Sequence, residues 1–460
     1  MKRFVGFILV LSFMFACLSA CTGETVSLLD FIPAQTSTVK DYGGQQLIVT
    51  GGWNLFYTEN EEDMDTIDSD RRLYRTEQVE KALNVDLVED FNEQSEESGH
   101  YFQLYAAGNL KYHISLQYGT PNPVYDMYKS GMLEPLEYIP AIDLSDEAFY
   151  GTVDGRKAVT FEGLTYAHMG GVEDEGTDRG FLAYNGYLIN SFGVEDPQEL
   201  LEQGKWTFDT FAEMLPKVYD LSNPDEPIYG LSTYNDPQML PFCAVFANGG
   251  QFVKQNENGT YVFALEDREA MEALQWVTDL HASNEIYLEK EWPPACFKRG
   301  QTTFYLGRSF AISKALDADS NVEEFYYIPF PYGPSGEYGV SSGSYASEAG
   351  GLVFFNCNDT EFAGEVYDYW LRFDDYPENL QLDKEEYALS NNFWSQESYD
   401  NFIKLQKVYE YDYFSQVGSA LYNNFANALY RATISQKALS SVFDEYKSSI
   451  QSALDKSLNN

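Results

Sequence analysis

The sequence predicts an exported α/β protein in two lobes, and three observations carry that expectation. The chain of 460 residues is too long for one compact core and suits two of ordinary size. Hydrophobic residues make up 44% of it, yet beyond the N-terminal segment there is no second long apolar run. Short β-branched runs alternate with stretches at helical spacing, the pattern of an α/β body.

The N-terminus reads as a secretory signal. Met1-Lys2-Arg3 is a basic start, and Phe4 to Leu18 is apolar but too short to span a bilayer comfortably. The ending Leu18-Ser19-Ala20-Cys21 resembles the lipobox of bacterial lipoproteins. That resemblance implies removal of residues 1–20 and a diacylglycerol on the Cys21 thiol. Residues 21–41, rich in Thr, Ser and Gly, then serve as a tether on the extracytoplasmic face of the cell membrane.

Charge narrows the partners. The chain has 29 basic against 72 acidic residues, a net charge of −43. Such a field repels phosphate backbones, which excludes nucleic acid. Cys243, Cys296 and Cys357 are too far apart for a disulfide framework and show no metal spacing, so buried small-hydrophobe roles are expected. No histidine metal motif occurs, and His100, His113, His168 and His281 are expected to be solvated or hydrogen-bonded.

The first strand is expected at Gln45–Thr50, running into Gly51-Gly52-Trp53-Asn54. Open α/β sheets bind ligands at strand carboxyl ends, so Trp53 and Asn54 become site candidates. Glu59 to Asp70 is read as a solvated acidic loop, Leu73–Leu83 as a helix and Val85–Val88 as a strand. A helix closing at Gly108-Asn109, a strand over His113–Leu116 and a helix ending at Gly131 follow. Thr207 is placed as an N-cap, Leu352–Phe355 as a strand, and Thr360 to Asn460 as several helices.

Several blocks resemble one family in its own order. They include Tyr105-Ala106-Ala107-Gly108-Asn109-Leu110, Gly131-Met132-Leu133-Glu134-Pro135-Leu136 and Asp154-Gly155-Arg156-Lys157. Phe181-Leu182-Ala183-Tyr184-Asn185, Trp206-Thr207-Phe208-Asp209, Ala247-Asn248-Gly249-Gly250 and Phe297-Lys298-Arg299-Gly300 continue the series. Together they resemble the family 1 extracellular solute-binding proteins of ABC importers. Lys111-Tyr112-His113 departs from that family's usual Pro-Asp-Val.

The resemblance implies a two-lobed periplasmic-binding-protein-like fold of class II type, with a multi-crossover hinge and a helical C-terminal region. It implies one lobe from 42–165 plus 329–385 and another from 166–328 plus 386–460. It also implies a monomer that captures a small solute, closes on it, and docks on ABC permease membrane subunits, with no cofactor and no catalysis.

Sugars are recognised by aromatic platforms beside short polar groups. The candidates at loop positions expected to face the cleft are Trp53, Asn54, Gln117, Tyr118, Asp178, Arg179, Tyr234, Asp236, Arg308, Ser344, Tyr345 and Trp394. Trp206, Trp276 and Trp370, at helical spacing, are expected in the core.

Two alternatives need other chemistry. Gly339-Val340-Ser341-Ser342-Gly343 matches the nucleophile elbow, but a loop precedes it and every histidine lies before Ser341, so the hydrolase pattern is incomplete. A surface lipoprotein glycoside hydrolase would need a carboxylate pair that no spacing selects. A carbohydrate-binding adhesin would need no hinge.

Overall fold

The computed structural model describes residues 40–51, 55–56, 67–91, 98–117, 123–151, 153, 156, 159–168, 180–223, 225–233, 239–283, 286–289, 291, 294–308, 312, 320–322, 324–337, 341, 351–381, 393–407, 419–435 and 437–459. Tyr42–Asn460 form one unit, distinct from Met1–Asp41. Within it the strands make two main sheets.

The first sheet draws on β1 (Gln45–Gly51), β2 (Val85–Glu89) and β3 (Ile114–Gln117), with helices α1 (Ile67–Leu83), α2 (Ser98–Ala106) and α3 (Pro123–Lys129) between and after them. A small hairpin of β4 (Thr160–Phe161) and β5 (Leu164–Thr165) follows. The second sheet draws on β6 (Gly180–Asn185), β7 (Tyr229–Thr233), β10 (Ile286–Leu288), β11 (Thr302–Arg308) and β12 (Phe325–Ile328). Its helices are α4 (Gly186–Phe192), α5 (Pro197–Glu202), α6 (Phe208–Met214), α7 (Met239–Ala247), α8 (Arg268–Ser283) and α9 (Ala295–Lys298). A hairpin of β8 (Val253–Gln255) and β9 (Tyr261–Phe263) lies between α7 and α8. The chain then returns through β13 (Gly351–Phe354) and α10 (Thr360–Leu371) to the first sheet. It ends with α11 (Gln396–Lys407), α12 (Ser419–Leu429) and α13 (Leu439–Ser457).

The first sheet runs β13-β3-β1-β2, with β1 parallel to β2 and β3, and β13 antiparallel to β3. The second runs β10-β7-β11-β6-β12, where β6 is antiparallel to both neighbours. Period-two alternation explains why both faces of each sheet are covered. Leu352 and Phe354 enter one core with Leu47, Val49 and Trp370, while Val353 and Phe355 enter another with Tyr101 and Met127. In the second sheet Leu182, Phe304, Leu306 and Ile328 face a large core, and Ala183, Tyr305 and Tyr327 face a smaller one.

Local chemistry sets the ends of these elements. The Thr207 hydroxyl accepts from Thr210 N in a capping box that starts α6, as the sequence implied. Gly108 and Gly131 take positive φ where their helices close. The helix expected from Leu73 begins earlier, at Ile67, so Asp68–Asp70 belong to α1 rather than to a loop.

Trp206 and Trp370 are buried as expected, but Trp206 precedes its helix rather than lying in it. Trp276 is half-buried and stacks on Phe208 at 4.0 Å. Cys243 and Cys296 are buried, whereas Cys357 is exposed on the turn after β13, which corrects the buried role expected for it. His113 accepts from Ile48 N through Nδ1 at 3.1 Å. His168 departs from expectation: it is 2% exposed and neither ring nitrogen has a hydrogen-bond partner.

Each body is tied together at identifiable places. His168 and Leu352 exchange backbone hydrogen bonds of 3.0 and 3.1 Å on the first. His168 and Leu352 therefore stand side by side on that body. On the second, Pro329–Glu337 continues to bond to the core beyond β12. Pro329 O accepts from Trp206 Nε1 at 2.8 Å, and Gly333 N donates to Ala247 O at 3.2 Å. The buried Asn248 amide bonds Glu269 O and Ser335 N, while Ser335 Oγ donates to Glu272 at 2.7 Å. Those bonds to Ser335 and Asn248 hold the Glu272 carboxyl below the usual carboxylate range. At the far end of the chain Tyr125 Oη donates to Ser457 O at 3.3 Å, linking α3 to the end of α13.

Candidate functional site

The topology collects particular strand ends. In the first sheet Gly51 lies opposite Leu116, and Gln117 opposite Gly351, so β1 and β3 end where β13 begins. In the second sheet Arg308 lies opposite Gly180, so β11 ends where β6 begins. The carboxyl ends of β7, β10 and β12 lie toward the same edge, because all three run parallel to β11 or antiparallel to β6.

Two glycines permit close approach at these ends. A Cβ on Gly51, whose φ is +149°, would stand 2.4 Å from Leu116 O. A Cβ on Gly307 would stand 2.2 Å from the Tyr305 ring, so glycine lets that ring lie along the strand toward its end. The Tyr305 ring stacks on Phe297 at 5.0 Å.

Below the first end runs a buried polar ladder. Thr50 Oγ1 and Tyr101 Oη are 3.2 Å apart, and Gln117 Nε2 donates to Ser115 Oγ at 2.7 Å. Thr50, Ser115 and Gln117 are each 2% exposed or less. At the second end Glu289 directly follows β10 and is buried. Its N–H donates to Thr233 O at 2.8 Å, and its carboxylate accepts from Phe297 N at 3.1 Å near the start of α9. Burial raises the pKa of this carboxyl above the usual range despite those bonds. Among the described residues no group of three or more His, Cys, Asp or Glu is placed to hold a metal ion.

Of the residues expected to bind a ligand, Trp53, Asn54, Tyr118, Asp178, Arg179, Tyr234, Asp236, Ser344 and Tyr345 lie outside the described residues. In sequence Trp53 and Asn54 follow β1, Tyr118 follows β3, and Asp178 and Arg179 precede β6. Tyr234 and Asp236 follow β7, and Ser344 and Tyr345 precede β13. Gln117 is the last residue of β3 rather than a loop residue, and its amide is held by Ser115. Arg308 is the last residue of β11, and its side chain lies outside the described residues. Trp394 is 52% exposed just before α11 and bonds to the Tyr326 hydroxyl on β12, the edge strand.

Sequence reasoning missed Thr50, Ser115, Thr233 and Glu289. The first three are β-strand polar residues, which pattern alone reads as solvent-facing. Glu289 was one acid among 72. Ser341, from the elbow-like motif, accepts from Glu337 N at 2.8 Å through its hydroxyl and so closes a turn.

Comparison with known proteins places the fold. No family model matches the sequence, and no curated protein does. Solved structures do. The GacH receptor of Streptomyces glaucescens GLA.O, determined unliganded and with acarbose, superposes with a TM-score of 0.61 at 16% identity, covering 91% of this chain and 99% of that one. UgpB from Mycobacterium tuberculosis, in complex with glycerophosphocholine, gives 0.62 at 13% identity over 90% and 100%. The sugar-binding protein MalE from Xanthomonas citri gives 0.62 at 11% identity over 90% and 98%. Both sheets, the order of elements and these superpositions lead to one statement: this chain has the two-lobed, periplasmic-binding-protein-like α/β fold.

Proposed function

We propose that this chain is the substrate-binding lipoprotein of an ABC importer, taking a neutral carbohydrate between its lobes and delivering it to membrane permease subunits. The observation that carries this is the convergence of strand ends in both sheets. In each sheet strands from distant parts of the chain begin or end at one edge, and the two sheets pack separate cores. We draw the lobes at 42–168 with 351–381 and at 180–337 with 393–459. We put the second division after Glu337 rather than at 328/329, a choice supported by the bonds of Pro329–Glu337 to the second core.

Ligand chemistry follows from charge and from the neighbours. GacH and UgpB were captured with acarbose and glycerophosphocholine respectively. A chain of net charge −43 repels anionic solutes and leaves neutral polyols and sugars unaffected, and it does not by itself disfavour a zwitterion such as glycerophosphocholine. Trp53, Asn54, Tyr118, Asp178, Arg179, Tyr234, Asp236, Arg308, Ser344 and Tyr345 are proposed to supply the stacking faces and hydrogen bonds, since each lies in sequence at or near one of the gathered strand ends. Trp394 bonds to Tyr326, one residue from Phe325 at the end of β12 away from the gathered edge, and is the least central of the expected set. The protein works without covalent chemistry: the ligand binds the closed arrangement more tightly and shifts the hinge equilibrium.

Binding is tested first by thermal shift with oligosaccharides, polyols, polyamines and glycerophosphodiesters. A solute at 100 times its Kd adds about 2.7 kcal/mol to the folded state. For the sugar that shifts the melting point most, the radius of gyration from X-ray scattering is expected to fall on saturation. Micromolar binding releases about 8 kcal/mol, enough to overcome a hinge bias of a few. An adhesin would bind without compaction and a glycoside hydrolase would consume the sugar, so either result rejects the transport reading.

Anchoring is tested separately. Cys21→Ser is expected to release the protein from membranes into the medium, measured by fractionating cells that express it. A variant that still sediments with membranes like the parent rules out lipid on Cys21.

A further inference from the structure

Three asparagines in this chain precede a glycine: Asn185, Asn248 and Asn258. An Asn-Gly pair can close on itself, because glycine has no Cβ to keep its backbone nitrogen away from the asparagine carboxamide. Two of the three carboxamides are buried and held. Asn185 is 3% exposed and, as the N-cap of α4, accepts from Leu188 N at 3.2 Å. Asn248 is fully buried. Its Nδ2 donates to Glu269 O at 2.7 Å and to Glu272 at 3.3 Å, and its Oδ1 accepts from Ser335 N at 2.8 Å.

Asn258 differs. It is exposed at the tip of the β8–β9 hairpin, and its carboxamide bonds to no described residue. The turn around it is held by Asn256 instead. Asn256 Oδ1 accepts from Asn258 N at 2.9 Å and from Thr260 N at 3.0 Å, while Asn256 O accepts from Gly259 N at 2.9 Å. Gly259 follows at φ +79°, the left-handed conformation that completes such a turn. In all three pairs the glycine N–H is bonded, to Glu324 O after Asn185, to Phe246 O after Asn248 and to Asn256 O here. The exposure and freedom of the carboxamide therefore set Asn258 apart. An exposed tip joining two strands of three residues also opens locally at little cost.

We propose that Asn258 is a site of spontaneous deamidation through a succinimide, at a rate gated by the Asn256 turn. The Gly259 nitrogen, having lost its proton to solvent base, attacks Asn258 Cγ. The new N–C bond forms, the bond from Cγ to Nδ2 breaks, and the amide nitrogen leaves as ammonia after taking up a proton. Water then opens the ring at either carbonyl, giving aspartate or isoaspartate, and nothing is oxidised or reduced. Either product adds a negative charge at the tip, and isoaspartate adds a carbon to the backbone of the turn. The change stays local, because Asn459 holds the following strand. Its Oδ1 accepts from Tyr261 N at 2.7 Å and its Nδ2 donates to Tyr261 O at 3.0 Å.

The test ages the full chain in mildly alkaline buffer and then digests it with trypsin, which frees residues 255–268 by cutting after Lys254 and Arg268. Mass spectrometry locates each replacement of a carboxamide NH2 by OH. An isoaspartyl methyltransferase with S-adenosylmethionine shows the isoaspartate share. In the native protein conversion is expected at Asn258 and not at Asn185 or Asn248, whereas in urea all three should convert. Asn256→Ala removes the two side-chain bonds that hold the turn, and conversion at Asn258 should then run about 5-fold faster or more. Asn258→Gln should show no conversion there and melt as wild type does. The proposal is overturned if Asn258 stays intact in the native protein over the time in which any of the three converts in urea. It is equally overturned if Asn185 or Asn248 converts natively as fast as Asn258. An unchanged rate in Asn256→Ala would reject the gate.

Discussion

Between pH 7.5 and pH 5 the wild-type protein is expected to lose about 2 kcal/mol of stability that a His168→Leu variant keeps. His168 is buried beside the rings of Tyr150 and Tyr367, at 4.9 and 5.8 Å, with no hydrogen-bond partner for either nitrogen. Burial, reinforced by the positive Arg156, lowers its pKa from the ordinary 6.5 to about 3. The sign follows directly. Below pH 6.5 the unfolded chain binds a proton that the native site refuses until about pH 3, so stability is full above 6.5 and falls through that window. Each pH unit within it costs at most about 1.4 kcal/mol.

The upper part of the window is clean, because ordinary carboxylates remain ionised above pH 5. His113 and His281 are also lowered by burial, so the measurement must be a difference between wild type and variant in urea unfolding at each pH. Nearby charge is accounted for. Arg156 donates to Tyr150 O at 3.0 Å, and Asp368 accepts from the Tyr150 hydroxyl while pairing with Arg372. Parallel pH profiles for the two proteins would show that His168 does not refuse the proton.

The fold was legible where local chemistry decides it. The Thr207 cap, the positive-φ glycines Gly108 and Gly131, and the β-branched run at Gln45 each determine an end or an element by themselves. Pairing over long separations was not legible. Nothing near Leu352 reveals that β13 will lie antiparallel to β3, more than 200 residues earlier, or that Pro329–Glu337 will stay with the second core. Partner geometry was equally hidden. A buried histidine without a partner and a hydrogen-bonded one, such as His113, look alike in sequence. Their difference arises from neighbours brought in by tertiary packing. Of the candidate site, the ends of β1 and β3 were legible, because a β-branched or apolar run gives way to glycine or polar residues there. Its buried polar ladder was not, since Thr50, Ser115 and Gln117 alternate as solvent-facing strand residues do.

Replacing Trp206 by alanine is expected to have the largest effect of any single side chain in the second body, about 3–5 kcal/mol. The indole is 1% exposed and packs edge-on against Phe211 at 5.5 Å and beside Phe304 at 6.0 Å. Alanine would leave a cavity that these rigid neighbours cannot fill. The tryptophan also does a second job through its hydrogen bonds. Its Nε1 donates to Pro329 O at 2.8 Å, Tyr332 N donates to Trp206 O at 3.1 Å, and Phe208 N donates to Tyr332 O at 2.9 Å. Together these bonds lay Pro329–Tyr332 beside the start of α6. Trp206→Phe keeps most of the packing and loses only the indole donor, so it should cost less than the alanine variant by at least 1 kcal/mol. Hydrogen exchange separates the two roles. In Trp206→Ala the amides of Tyr332 and Phe208 should exchange much faster, while that of Leu352, bonded to His168 in the other body, should keep its protection. Loss of protection at Leu352 to the same degree would mean that the two bodies unfold as one. An alanine variant costing under about 1 kcal/mol would mean that the indole is not part of the core.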